Sequence, residues 1–405
     1  MKILEGKSLT DVPGFKAAGI SSGIKKSEKK DLCIIYSETP CTAAATFTTN
    51  KVKAAPLLVN VKHLQSDAIH AVVVNSGNAN ACTGSQGLKD AETMAEVTAS
   101  QLGIAPESVL VGSTGIIGVP LPMDVVTNGI KTACGQLSFD GGHDAAKAIM
   151  TTDTFPKKIT VEFTIKGRTI FISGIAKGSG MIHPNMATML SFLVTNANIE
   201  KTILSAALKN SVEDSYNMIS VDGDTSTNDM VVVLANGTAE NPVIDQENDD
   251  YILFKEALDY VNKQLSKMIA KDGEGATKLI EVTVLHGQTL QDAKLCAKSV
   301  TSSSLVKSAF FGSDANWGRI MCSLGYSAGN FDPEKVDIAF ENSTGHIDLV
   351  KDGISVLFCE EQAKKILSED TIKVIIDLKD GDYNATAWGC DLTYDYVKIN
   401  GSYRT

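Results

Sequence analysis

Ala176-Lys177-Gly178-Ser179-Gly180-Met181-Ile182-His183-Pro184-Asn185-Met186-Ala187-Thr188-Met189-Leu190 is the stretch on which the reading of this chain turns. It joins a β-rich run ending near Ile175 to an apolar run over 189–194, and it follows neither a helical nor a strand period. Two glycines, a proline and an asparagine make it a compact loop that presents Lys177 and returns to the core at Thr188. Generic motifs do not fit it. Lys177-Gly178-Ser179-Gly180 lacks the G-x-x-x-x-G-K-[ST] spacing of a phosphate-binding loop, and a lone Gly-x-Gly carries little information. His183 has the chemistry of a general base, yet a histidine beside Pro184 in a loop is more often structural. Read locally, Thr188 is a threonine that opens a strand.

On both sides the chain alternates between two periods. Short β-rich runs occur at 32–36, 71–75, 158–165, 169–175, 230–234, 280–284 and 373–377, and helical periods at 88–102, 145–150, 201–218, 251–271 and 290–300. Such mixing predicts a layered α+β or α/β fold. Two glycine-rich tips, Asn75-Ser76-Gly77-Asn78-Ala79-Asn80 and Val111-Gly112-Ser113-Thr114-Gly115, each follow an apolar strand. Junctions of this kind put backbone N–H groups where substrates are often bound, although each stretch also reads as a plain tight turn. The charge-rich stretch 241–250 reads as an exposed turn before a helix.

Composition narrows the function classes. With 405 residues, 43% apolar and 21% charged, the chain can bury a sizeable core without disulfides or metals. A net charge of −11 argues against a nucleic acid or an anionic membrane as partner, and the lysines of 16–30 read as a solvated face. Met1–Glu5 has no signal-peptide character and no apolar run reaches membrane-spanning length, so a cytoplasmic protein is expected. The eight cysteines are scattered, without a Cys-x-x-Cys pair or histidines at ligand spacing. They read as reduced packing residues, and no metal site is expected.

Residues 176–190 closely resemble the self-cleavage segment of the ornithine acetyltransferase (glutamate N-acetyltransferase) family. Further matches are Thr46-Phe47-Thr48-Thr49-Asn50, residues 75–80, Ser113-Thr114-Gly115, Thr151-Thr152-Asp153-Thr154 and Asp222-Gly223-Asp224-Thr225-Ser226-Thr227-Asn228-Asp229. Asp272-Gly273-Glu274-Gly275-Ala276-Thr277-Lys278, Asp314-Ala315-Asn316-Trp317-Gly318-Arg319-Ile320 and Asn400-Gly401-Ser402-Tyr403-Arg404-Thr405 complete the series, in order along nearly the whole chain. Ala315 departs from the proline expected there.

The resemblance implies an α+β fold, a layered αββα sandwich of the self-processing, N-terminal-threonine-nucleophile type. It implies a cut between Ala187 and Thr188, giving segments 1–187 and 188–405 that together make one composite fold. The freed α-amine of Thr188, with a reference pKa of roughly 7.7–8.0, then serves as base for its own hydroxyl. Thr114 (hydroxyl) and Gly115 (N–H) are the implied oxyanion donors, each such donor lowering a barrier by about 2.7–4 kcal/mol. The implied substrate pocket is Thr151, Lys177, Thr188, Glu274, Asn400 and Thr405. Glu274 suits the δ-ammonium of ornithine, and Lys177 a carboxylate or oxyanion. The implied reaction belongs to arginine biosynthesis: N2-acetyl-L-ornithine acetylates Thr188, and L-glutamate accepts the acetyl group. Acetyl-CoA is a second donor in some members; no cofactor or metal is implied, and the assembly is an α2β2 heterotetramer. The alternatives are a self-processing aminopeptidase or amidase, in which water resolves the acyl-enzyme, and a non-catalytic amino-acid-binding protein.

Overall fold

The computed structural model describes residues 1–183 and 189–402, so Ala187, Thr188 and Thr405 lie outside the described residues. Two compact units divide the chain: Met1–Gly178 with Pro184–Asn217 and Thr225–Leu265, and Ser179–His183 with Met218–Asp224 and Ser266–Thr405. Each unit takes chain from both sides of the 187/188 junction.

The first unit is organised by strand β3. Strands β1 (Lys2–Ile3), β2 (Phe15–Ile20), β3 (Leu32–Phe47), β4 (Ile69–Asn78), β5 (Val109–Ile116), β6 (Lys157–Ile165), β7 (Arg168–Lys177) and β8 (Leu190–Thr195) precede β9 (Ile219–Ser220), which belongs to the other unit, and β10 (Met230–Ala235). Among the described residues the hydrogen-bonded order is β1-β6-β7-β8-β10-β3-β4-β5, with β2 on β3. The register of β3 shifts between Tyr36 and Cys41. Its first half pairs with β2 and β4, and its second half with β10. One strand therefore serves two sheets.

Strand alternation sorts the side chains into layers. Cys33, Ile35, Val72, Val74 and Leu110 of one sheet pack with Ile175, Leu190, Phe192, Val194, Met230, Val232 and Leu234 of the other in one buried cluster. The opposite parity, Leu32, Ile34, Ala71, Val73, Val109 and Val111, packs against helices. These follow α1 (Ala55–His63): α2 (Gly84–Leu102) contributes Met94 and Ala95, and α3 (Met123–Gly135) contributes Val126 and Ile130. The short helix α4 (Gly142–Ala148) adds Ala145, Ala146 and Ala148 to the inter-sheet cluster, and α5 (Lys201–Glu213) follows β8. On the outer face of the second sheet, Gly174 lies against Val261 and Leu265 of α6 (Asp249–Lys271). The order of layers is helix, sheet, sheet, helix, as expected for the αββα class. Because both faces of the parallel pair β8 and β10 are covered, these strands read as unbroken apolar runs.

The second unit has a sheet in the order β14-β13-β12-β15-β11-β16-β9. Its strands are β11 (Leu279–Gly287), β12 (Asp337–Asn342), β13 (Gly345–Lys351), β14 (Ile354–Ser355), β15 (Thr371–Asp377) and β16 (Tyr383–Cys390), besides β9. Helices α7 (Leu290–Ser302), α8 (Ser304–Phe311), α9 (Trp317–Gly325), α10 (Glu360–Leu367) and α11 (Tyr394–Gly401) complete it. Helix α7 crosses β16 at Gly389, where an added Cβ would stand 3.1 Å from the Thr301 carbonyl oxygen.

Every β-rich run in the sequence lies in a strand. Lys177 differs from expectation: it is the last residue of β7, paired with Leu190, and is buried rather than presented by a loop. The helical period over 201–218 stops at Glu213, and Tyr216–Met218 forms a separate 3-10 turn. Among the described residues no helix is long and apolar enough to cross a membrane.

Phe192 is fully buried where the two sheets meet. Phe192→Ala is expected to cost about 3–5 kcal/mol through lost transfer energy and the cavity left behind, read as a lower denaturation midpoint in urea.

Candidate active site

The parallel strands β4 and β5 run on together past their apolar stretches. Ser76 pairs with Thr114 and Gly77 with Gly115, and Asn78 then faces both Thr114 and Ile116. Gly115 has φ +136°, and a Cβ there would lie 2.3 Å from the carbonyl carbon of Gly77. No other residue fits this close backbone approach. Asparagines lock the tips: Ser113 Oγ donates to Asn75 Oδ1 (2.6 Å), and Asn75 Nδ2 donates to the Asn78 carbonyl (2.9 Å). Asn228 Nδ2 donates to the carbonyls of Ala79 (2.6 Å) and Ser113 (2.9 Å).

Lys177 reaches this place from β7. Its Nζ donates to Thr114 Oγ1 at 3.3 Å, and each residue is only 8% exposed. Asp153 supports it from behind. Its carboxylate accepts from the Thr151 N–H (2.9 Å), the Gly178 N–H (2.7 Å) and Lys157 Nζ (2.6 Å). Burial by itself would raise the Asp153 pKa, but Lys157, Lys177 and the Gly178 N–H outweigh it and hold the group at about 2. Thr151, Lys177, Thr114 and Gly115 thus form one connected constellation in the first unit. Sequence reasoning did not select Asp153, although it stands inside a quoted match.

Lys25 was missed as well. Lys26 and Lys29 are exposed, but Lys25 is partly buried and donates to the carbonyls of Lys30 (2.9 Å) and Met150 (2.7 Å). Its stem lies along Gly77, 3.1 Å from the position a Cβ would take. Burial lowers its pKa to about 8, with Asp31 opposing.

In the second unit, Glu274 and Asn400 meet: Asn400 Nδ2 donates to Glu274 Oε2 at 2.7 Å. The Glu274 carboxylate occupies space that Gly180 leaves open, since a Cβ on Gly180 would stand 2.4 Å from it. The helix carrying Asn400 is anchored where Thr393 Oγ1 donates to the Gly275 carbonyl (2.7 Å) and Thr393 caps the Tyr396 N–H. The chain as far as residue 402 is thereby held to the 272–278 loop.

His183 does not look like a base. Burial, with help from Lys298, lowers its pKa to about 4, and its Nδ1 lies 3.0 Å from Ser220 Oγ. Beside it, Asp222 accepts the N–H groups of Met181 (2.6 Å) and Ile182 (2.8 Å) and fixes this turn. Among the described residues no group of three or more His, Cys, Asp or Glu is arranged to hold a metal ion.

Comparison with known proteins follows the same lines. Arginine biosynthesis bifunctional protein ArgJ 1 of Clostridium acetobutylicum is 61% identical over 405 residues, covering all of this chain and 99% of that protein. The protein of that name from Caldanaerobacter subterraneus subsp. tengcongensis is 55% identical, with 100% of both covered. Among solved structures, the arginine biosynthesis bifunctional protein argJ of Bacillus halodurans superposes with a TM-score of 0.51 at 48% identity. That match covers 53% of this chain and 99% of the solved one. The ArgJ family pattern matches residues 16–405, and this chain belongs to the ArgJ family.

Proposed function

We propose that the chain is an acetyltransferase of arginine biosynthesis, moving acetyl from N2-acetyl-L-ornithine to L-glutamate by a ping-pong route through acetyl-Thr188. The observation that carries this reading is the buried Lys177–Thr114 contact beside Gly115, at the tip of a strand pair where no larger residue fits. A hydroxyl with a cation against it, next in sequence to Gly115, suits the oxyanion role proposed for Thr114 and Gly115. Relatives are called bifunctional, which favours acetyl-CoA as a second donor to glutamate.

The chain first cuts itself. The Thr188 hydroxyl attacks the Ala187 carbonyl, and water hydrolyses the ester, leaving an α-amine beside the hydroxyl. This amine then takes the hydroxyl proton as the acetyl carbonyl is attacked. Thr114 and the Gly115 N–H stabilise the tetrahedral oxyanion. Lys177 serves a carboxylate or this developing charge, and Asp153 orients it together with the Thr151 backbone. Glu274, held by Asn400, takes the δ-ammonium of ornithine. In this route neither acyl transfer nor self-cleavage needs a metal or cofactor. The cut molecule is read as an α2β2 assembly of the cytoplasm.

Intact mass on purified protein should show pieces of 187 and 218 residues, and a single uncut species with no acetyl transfer overturns the reading. Thr188→Ala should stay uncut and inactive. Thr114→Val, which keeps shape and loses the hydroxyl, should lower kcat for acetyl transfer about 10²–10³-fold. An unchanged kcat would remove Thr114 from the oxyanion role.

A further inference from the structure

Lys25 stands in the loop that joins β2 to β3, and that loop is built to be rigid. The fully buried Asp31 carboxylate accepts from the Ser22 N–H (2.6 Å), the Ser22 hydroxyl (2.7 Å), the Gly23 N–H (3.1 Å) and the Lys25 N–H (3.0 Å). Asp31 also ties the loop to β4, its carbonyl accepting from the Ser76 N–H at 2.8 Å. The backbone under Lys25 is thereby fixed to the tip that carries Gly77. From there the Lys25 side chain is aimed along that tip, its Cγ 3.1 Å and the Ile24 Cγ2 3.3 Å from where a Gly77 Cβ would stand. The ammonium then donates to the carbonyls of Lys30 (2.9 Å) and Met150 (2.7 Å). The Met150 carbonyl belongs to the same peptide as the Thr151 N–H, and that N–H donates to Asp153 Oδ2 at 2.9 Å.

We infer that Lys25 is a positioning residue for substrate binding, its ammonium setting the Met150–Thr151 peptide against Asp153. The inference rests on the acetyl-transfer reading given above, in which Thr151 and Lys177 bind the substrate. A peptide held at one end only is free to rotate. This one is held at both, its carbonyl by Lys25 and its N–H by Asp153. Thr151 is fixed in consequence, and the other Asp153 oxygen is left to the Gly178 N–H and Lys157. Hydrogen bonds from a charged donor are the stronger kind, and an ammonium, with three rotatable N–H groups, can serve two carbonyls at once. Burial lowers the Lys25 pKa only to about 8, so the group stays mostly charged at neutral pH. The substrate's neighbours are sensitive to such support, because a misplacement of about 1 Å can cost on the order of 10²-fold in rate.

The test compares acetyl transfer from N2-acetylornithine to glutamate in wild type and Lys25→Met, with thermal unfolding recorded for both. Methionine keeps an unbranched stem along Gly77 and removes the ammonium. KM for N2-acetylornithine should rise about tenfold while kcat falls no more than about twofold, since binding loses its support and the chemical step does not. A folded Lys25→Met with the wild-type KM overturns the inference, whatever its kcat. A merely structural role would reduce the amount of active protein, lowering the apparent kcat and leaving KM alone. If Lys25→Met does not fold, Lys25→Gln decides. Its amide keeps a donor but is a bond too short to reach both carbonyls, so KM should rise about threefold. The wild-type KM in that variant overturns the inference as well. Wild type that transfers no acetyl group overturns the underlying reading, and the inference with it.

Discussion

A single sixteen-residue strand that belongs to two sheets fixes the first unit. Its first half leads through β4 to β5, and its second half leads through β10 and β8 to β7. The two sheets share an apolar interior, so the C-terminal ends of β5 and β7 are not free to separate. Thr114 closes one path and Lys177 the other, and their side chains touch. The Thr114–Lys177 contact is therefore a by-product of sheet crossing, secured by the cluster around Phe192.

Charge placement follows from the same burial. An ion in an apolar interior is tolerated only with partners, and each here has several. Asp153 answers Lys157 directly and Lys177 through its field, while two backbone N–H groups use the rest of its capacity. Asp229 stands in the field of Lys177 as well, yet burial outweighs that field and raises its carboxyl well above the usual carboxylate range. Two aspartates in one region are thus shifted in opposite directions by what lies within bonding reach. Glycine does related work in the backbone: Gly115 admits Gly77, and Gly180 admits the Glu274 carboxylate.

Much of the fold was legible because alternation and apolar runs are local. The runs over 71–75, 169–175 and 230–234 became strands, and 88–102 became α2. Lys177 misled, since Gly178 follows it at once and suggested a loop, whereas pairing with Leu190 extends β7 by two residues past Ile175. Asp153 and Lys25 had no local signature at all. Asp153 depends on Lys157 at the start of a strand and on Gly178, 25 positions away, and Lys25 on the Met150 carbonyl, 125 positions away. Asp229 sits at the head of an apolar run, where composition alone marks only a turn. Candidate roles for Thr114 and Glu274 came from family resemblance, because a threonine in a tight turn and a surface-like glutamate have ordinary local readings.

Sheet order also has a consequence for how a cut molecule could come apart. Strands β8 and β10 come from beyond residue 188, and they lie between β7 and β3, both from before it. In a chain cut there, the two pieces would remain joined by backbone ladders on both sides of this inserted pair. Neither piece alone can close the sheet. The first would keep a two-strand gap in its middle, and the second would carry β8 and β10 with both outer edges bare. Uncut, the chain folds as a first-order process. For a cut chain reassembly would be second-order and slow on dilution, so persistence of the joined pieces would be governed by how rarely the inserted pair lets go.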